Sequence, residues 1–252
     1  MIACAGLVKA GDPDRFSCVM TALVDVRGPL FTLYALNLEA AKAPWVTEEA
    51  MIAEMRLQWW RDVVEEIAAG KPARAHEVAG PLAEVMAKHD LVKLLDAMIG
   101  ARRWDIYKEP FEDADHLNEY LDQTSGHLMW AAALISGADA QLETAVRDVA
   151  YGLGVANWLQ AVPAYVDKGR VPLLDGRDEG VRDLAQAGLD RLNKAKATNF
   201  GAALPAVRTA WQAKAILRQV VSDPARVAEG GLGQSEFAKR GSLVLKSFTK
   251  RW

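Results

Sequence analysis

Two cysteines, Cys4 and Cys18, are all the chain carries in 252 residues. They are too few for a disulfide framework and form no metal-binding spacing, so a reduced compartment is the direct reading. Histidine is nearly as scarce: His76, His89, His116 and His127 have no spacing that would bring a pair onto one metal. Ser17, Ser125 and Ser136 sit in no nucleophile-elbow pattern, so serine hydrolase chemistry has no support. Long apolar runs are also missing. The longest, Leu128 to Ile135, falls far short of the ~20 residues that cross a bilayer. The first residues, Met-Ile-Ala-Cys-Ala-Gly-Leu-Val, show neither a basic leader nor a long apolar segment, and do not read as a secretory signal. The expected location is the cytoplasm. A net charge of −3 offers no basic surplus for a nucleic-acid partner.

Period-2 strands and hairpin signals are absent, whereas helical periodicity runs through most of the chain. From Thr47 to Ala69, Ile52, Met55, Trp59, Val63 and Ile67 mark one face, and Glu54, Gln58, Arg61 and Glu65 the other. Thr47 suits the N-cap of that helix and Gly70-Lys-Pro72 its end. The same logic predicts helices over Asp115–Ile135 and Gln141–Tyr165. Others are expected over 14–25, 28–43, 78–107, 179–196, 200–221 and 235–249. Half the residues are hydrophobic and a quarter charged, enough apolar surface for a sizeable core. With no repeat, low-complexity tract or linker, residues 1–252 read as a single all-α domain.

Six segments, in order, resemble the squalene/phytoene synthase family. They are Asp12-Pro-Asp-Arg-Phe16, Pro29 to Asn37, Arg56-Leu-Gln-Trp-Trp-Arg-Asp62, Ala101-Arg-Arg-Trp-Asp-Ile-Tyr107, Tyr120-Leu-Asp-Gln-Thr-Ser-Gly126 and Asn157 to Arg170. Together they span residues 12 to about 174; beyond 175 the likeness is only in being helical. The resemblance implies an isoprenoid-synthase-type helical domain around a central apolar cavity. Residues 28–43 and 141–165 would face each other across it.

In active members of that family, two clusters of aspartates hold magnesium against a prenyl diphosphate. By the resemblance, the first cluster falls at Ala41 and Trp45, with Lys42 between, and the second at Ala161 and Tyr165. None bears a carboxylate. Mg²⁺ needs oxygen ligands to neutralise a departing diphosphate. The implied protein therefore needs no cofactor and binds no metal. Asn37-Leu-Glu39 and the Arg-Leu-Gln-Trp-Trp-Arg core resemble the branch that contains a mitochondrial complex I assembly factor. That implies a non-catalytic role, in binding an isoprenoid or other lipid or in assembling a respiratory complex with its subunits as partners. The alternative is a prenyltransferase with a rearranged, magnesium-using site that leans on the arginines Arg56, Arg61, Arg102 and Arg103 and on residues such as Glu39, Asp62 and Asp167.

Other side chains have two readings each. Arg56, Arg61, Arg102 and Arg103 would form an anion-binding wall, since the guanidinium fork suits diphosphate. Equally, they would be ion pairs on amphipathic helices, Arg61 with Glu65 and Arg103 with Asp105 or Asp62. Lys168 and Arg170 either bind an anion or sit in a solvated turn. Tyr34, Trp59, Leu128, Asn157 and Trp158 are the candidate cavity lining; the tryptophans, with Trp60, Trp104 and Trp130, also suit a packed core. Trp158, Ala161 and Tyr165 would then fill the space. At the C-terminal end, Phe237, Val244, Leu245, Phe248 and Trp252 project largely to one side of a basic helix. Such a helix either docks on the domain or attaches the protein peripherally to the inner membrane.

Overall fold

The computed structural model describes residues 2–252, and no strand occurs among them. The helices are α1 (Ile2–Gly11), α2 (Pro13–Val19), α3 (Val24–Lys42), α4 (Ala50–Ala68), α5 (Ala79–Met86), α6 (Val92–Ala101) and α7 (Ala114–Leu121). They continue as α8 (His127–Ile135), α9 (Glu143–Asp167), α10 (Asp178–Lys194), α11 (Leu204–Val207), α12 (Ala213–Ser222), α13 (Ala225–Ala228) and α14 (Glu236–Phe248). Local chemistry explains several starts. The Asp12 carboxylate accepts from the Arg15 N–H at 2.8 Å, and Pro13 opens α2 with its ring already set for a helix. Asp113 caps α7 and Ser235 caps α14 in the same way.

One apolar core runs from Cys4 to Val227. α8 lies at its centre, with Leu128, Trp130 and the run Ala131 to Ala133 all buried. Its small side chains suit a helix that packs against both α3 and α6. Each fully buried leucine, such as Leu30, Leu57 or Leu95, contributes about 1.5–3 kcal/mol of transfer free energy. α9 crosses α10 at Gly152, where a Cβ would lie 2.4 Å from the Leu192 side chain, so only glycine fits. Beside that crossing the buried carboxylate of Asp148 pairs with Arg191 and Lys194.

Several expected boundaries differ. α1 was not anticipated. The stretch 78–107 is two helices and a turn, because α5 stops at Met86 and α6 starts only at Val92. Asp115–Ile135 is interrupted by a π turn over Asp122–Gly126, where the Ser125 hydroxyl reaches across to the Ala150 carbonyl at 2.8 Å. Residues 200–221 break into 3₁₀ turns and short helices around Pro205. Thr47 lies outside α4 and only turns back to accept from the Glu49 N–H. α14 docks on the body through Leu243, against Cys18 and Trp211. Trp252 leaves the apolar stripe: Lys250 takes φ 52°, the chain reverses, and Trp252 meets Phe200 edge-on. Phe237 and Phe248 stay almost fully exposed. No helix among the described residues is long and apolar enough to cross a membrane.

Candidate functional site

α3 and α9 face each other across a cavity of about 170 Å³, lined from one side by Asn37 and from the other by Asn157, Trp158, Ala161 and Tyr165. α9 keeps residues four apart on one face, so Asn157, Ala161 and Tyr165 line the cavity together, from exposed Asn157 to buried Tyr165. The walls are polar as well as apolar. Arg102, Thr124 and Ser125 stand beside Leu121 and Leu128. The Asn37 carbonyl oxygen and the Arg102 Nε are buried there without a hydrogen-bond partner. At Arg15 and Asn157 the cavity meets a second, polar pocket of about 390 Å³ between α2, α9 and α12.

On the opposite side, a wider cleft of about 680 Å³ opens to the surface, with Glu48, Lys108, Asp167 and Lys168 at its rim. Tyr165 and Trp45 stand between cavity and cleft with ring centroids 5.1 Å apart. Behind them Trp104 stacks on Phe111 at 4.1 Å, and Trp158 lies 4.8 Å from Tyr165. Trp158 is held by its indole N–H, which donates to the Pro172 carbonyl at 3.0 Å.

The polar centre of this aromatic box is Asp105, which ends the turn after α6 and is 4% exposed. Tyr165 donates its hydroxyl to Asp105 at 2.7 Å and Tyr120 does so at 3.0 Å. Arg102 donates to both Asp105 and the Tyr120 oxygen. Burial opposes the Arg102 charge, yet Tyr120, Asp105 and Tyr165 together raise its pKa above the usual guanidinium range. Burial, then Tyr120 and Asp105, raise the Tyr165 hydroxyl, so it stays a donor at every physiological pH. Arg170 caps the turn from the other side, donating to the backbone carbonyls of Trp104 and Asp105 with its guanidinium over the Trp104 ring. The turn that delivers it needs Gly169, whose φ is 73°.

The arginines expected as one wall are separated. Arg102 alone of the four faces the cavity. Arg61 pairs with Asp96 of α6 and not with Glu65; Arg103 pairs with Glu54 and Gln58 and not with Asp105 or Asp62; Arg56 is exposed on α4. α4 and α6 pack side by side, so their arginines find carboxylates across that seam. Lys168 stands 3.7 Å from Glu48 on the outer rim. Of the expected lining, Leu128, Asn157 and Trp158 reach the cavity. Tyr34 is buried under the Arg15 guanidinium, and Trp59 packs with Trp60 and His76 elsewhere. Ala41 lies one turn beyond Asn37 on α3, and Asp62 faces Gln58 and Arg74. Asp105 and Phe111 were not singled out as site residues. Their role depends on contacts up to 60 residues away in sequence, which periodicity does not report.

The model of the squalene/phytoene synthase family matches residues 8–229. The chain belongs to the squalene/phytoene synthase family. A ligand-bound dehydrosqualene synthase superposes over 99% of this chain and 96% of its own, with a TM-score of 0.79 at 14% identity. A squalene synthase from Alicyclobacillus acidocaldarius superposes over 98% and 93%, with a TM-score of 0.64 at 17% identity. These likenesses show the all-α isoprenoid synthase fold. In sequence, the chain is 25% identical over 170 residues to the human and bovine proteins named NADH dehydrogenase (ubiquinone) complex I, assembly factor 6. The Drosophila melanogaster homolog is 25% identical over 167 residues. Those stretches cover 67% and 64% of this chain, which spans about half the length of these relatives.

Proposed function

We propose that this protein is a non-catalytic squalene/phytoene-synthase-like factor that acts in assembling respiratory complex I. One observation carries the reading: Trp45 and Tyr165, at two of the four positions where the family resemblance places metal-binding aspartates, touch each other and partition the space between α3 and α9. A substrate there would have to displace Tyr165 from Asp105. The inner cavity, at about 170 Å³, is below the ~300–1,000 Å³ of ordinary small-molecule pockets. Its polar neighbour carries Asp12, Asp14 and Gln212, a poor match for a prenyl chain. The relatives' name supplies the assembly role, and the exposed Phe237 and Phe248 of α14 fit peripheral attachment to the inner membrane beside such a complex. The test is deletion of the gene in its host, followed by native-gel analysis of NADH dehydrogenase. Assembled complex should fall and return with the wild-type gene; unchanged complex refutes the role.

A second reading, a prenyl-diphosphate enzyme with a rearranged site, draws on the outer cleft, where Lys108, Lys168 and Arg170 lie near Glu48 and Asp167. It requires farnesyl diphosphate with Mg²⁺ to bind, and Lys108→Gln/Lys168→Gln to weaken that binding. Calorimetry with no heat above dilution would remove it.

A further inference from the structure

A further concavity lies away from the family site. It is a cleft of about 770 Å³ under the C-terminal end of α14, between that helix, the end of α10 and the start of α12. Five cations line it: Lys196, Lys214, Lys246, Lys250 and Arg251. No carboxylate side chain lines it, and none of the five forms an ion pair with an acidic side chain among the described residues. Elsewhere Arg61, Arg74, Arg103 and Arg147 each pair with a carboxylate. In a protein of net charge −3, the cleft gathers five cations and no acidic side chain.

Two of the charges, Lys246 and Lys214, are held in place. Lys246 donates to the backbone oxygens of Trp211 at 3.1 Å and Trp252 at 2.8 Å, and the Trp211 contact satisfies a hydrogen bond without cancelling charge. Lys214 donates to the neutral amide of Asn193 at 2.9 Å. Lys250 takes a left-handed φ of 52°, a conformation that non-glycine residues rarely adopt. That turn brings Arg251 and Trp252 back over the cleft, where Arg208 fixes the Arg251 carbonyl at 3.0 Å. Phe200, Leu204 and Trp252 supply an apolar side. Burial lowers the pKa of Lys246, and Lys214 lowers it further; Lys214 is lowered by burial, then by Arg218 and Lys196. Lys246 and Lys214 thus feel the repulsion of their basic neighbours. A free α-carboxylate at Trp252 would meet Lys246 and leave four charges unanswered.

We infer that this C-terminal cleft is a binding site for a phosphate-bearing anion, the cations gripping the phosphate oxygens while Phe200 and Trp252 contact the group that carries it. Charge-assisted bonds to phosphate are the strong class of hydrogen bond, and ammonium groups act as point charges toward it. The same chemistry occurs in a soluble diphosphate and in an anionic lipid headgroup. Nothing in the inference depends on the function proposed above, because the family cavity shares no residue with the cleft.

The test uses the full chain in two arms, inorganic pyrophosphate by calorimetry and sedimentation with phosphatidylglycerol vesicles against neutral phosphatidylcholine vesicles. The variants are Lys196→Gln/Lys214→Gln, at side chains on the cleft surface, and Arg56→Gln as an exposed control on α4. Binding in either arm that drops at least tenfold in the double variant and survives in Arg56→Gln supports the site. Pyrophosphate binding alone assigns a soluble anion, and selective sedimentation with the anionic vesicles assigns a headgroup. Absence of binding in both arms overturns the inference, as does binding that both variants retain or lose equally. Unfolding midpoints of the two variants at or above the wild-type value establish that a loss is not misfolding. If the double variant unfolds earlier, Lys196→Arg/Lys214→Arg replaces it, and failure of those arginines to hold pyrophosphate overturns the site.

Discussion

The aromatic box around Asp105 and the cleft under α14 both gather charge in a partly enclosed space, but they balance it in opposite ways. In the box, Asp105 meets Arg102 and two tyrosine hydroxyls, while Arg170 spends its donors on two carbonyls. In the cleft, none of the five cations pairs with an acidic side chain; Lys214 donates to an amide oxygen and Lys246 to the oxygens of Trp211 and Trp252. A buried charge persists when its partners are covalently part of the protein, so the box behaves as structure. Cations crowded without partners raise the energy of the empty state, so the cleft gains from a visiting anion.

Charge removal should therefore have opposite signs in the two places. The largest effect is expected for Asp105→Ala, which strands Arg102 in the box. Urea unfolding should show a loss of about 3–5 kcal/mol, and a loss under about 1 kcal/mol would mean that Arg102 finds water instead. Tyr165→Phe removes one hydroxyl donated to that carboxylate and should cost about 1.5–3 kcal/mol by the same measurement. Lys214→Gln should do the reverse and raise the stability of the anion-free protein by up to about 0.5 kcal/mol, since solvent screens part of the repulsion at this half-buried site. A destabilisation there would erase the contrast.

The smallest effect is expected at His127, a weaker case of the unanswered cation. Burial and then Arg147 lower its pKa. The folded chain then binds fewer protons than the unfolded one, so this contribution is full above the ordinary histidine pKa near 6.5 and fades as pH falls below it. His127→Gln should flatten the stability profile between pH 7 and pH 5; superimposable profiles would contradict it.

What periodicity could read was the long helices with clear faces: α3, α4, α9, α10 and α14 lie within four residues of the expected limits. It missed α1, whose residues are apolar or small on most sides, and which packs on α3 through Cys4 and Val8. It also missed the breaks at residues 87–91 and 122–126, which tertiary contacts impose. The resemblance led to Trp158, Ala161 and Tyr165 lining one cavity, because their spacing is local. The Asp105 network was hidden, since Tyr120 and Tyr165 reach it from two other helices. Arg61 and Arg103 were ambiguous for the same reason: local carboxylates competed with Asp96 and Glu54 on neighbouring segments.

The most direct test of the central claim, that side chains of this fold have closed the prenyl site, is a product assay. Purified protein is incubated with farnesyl or geranylgeranyl diphosphate, Mg²⁺ and NADPH, and the extract is analysed by mass spectrometry. The account predicts no squalene, phytoene or cyclopropyl diphosphate intermediate above a boiled-protein control. A head-to-head product formed by the native protein and absent from that control would contradict it.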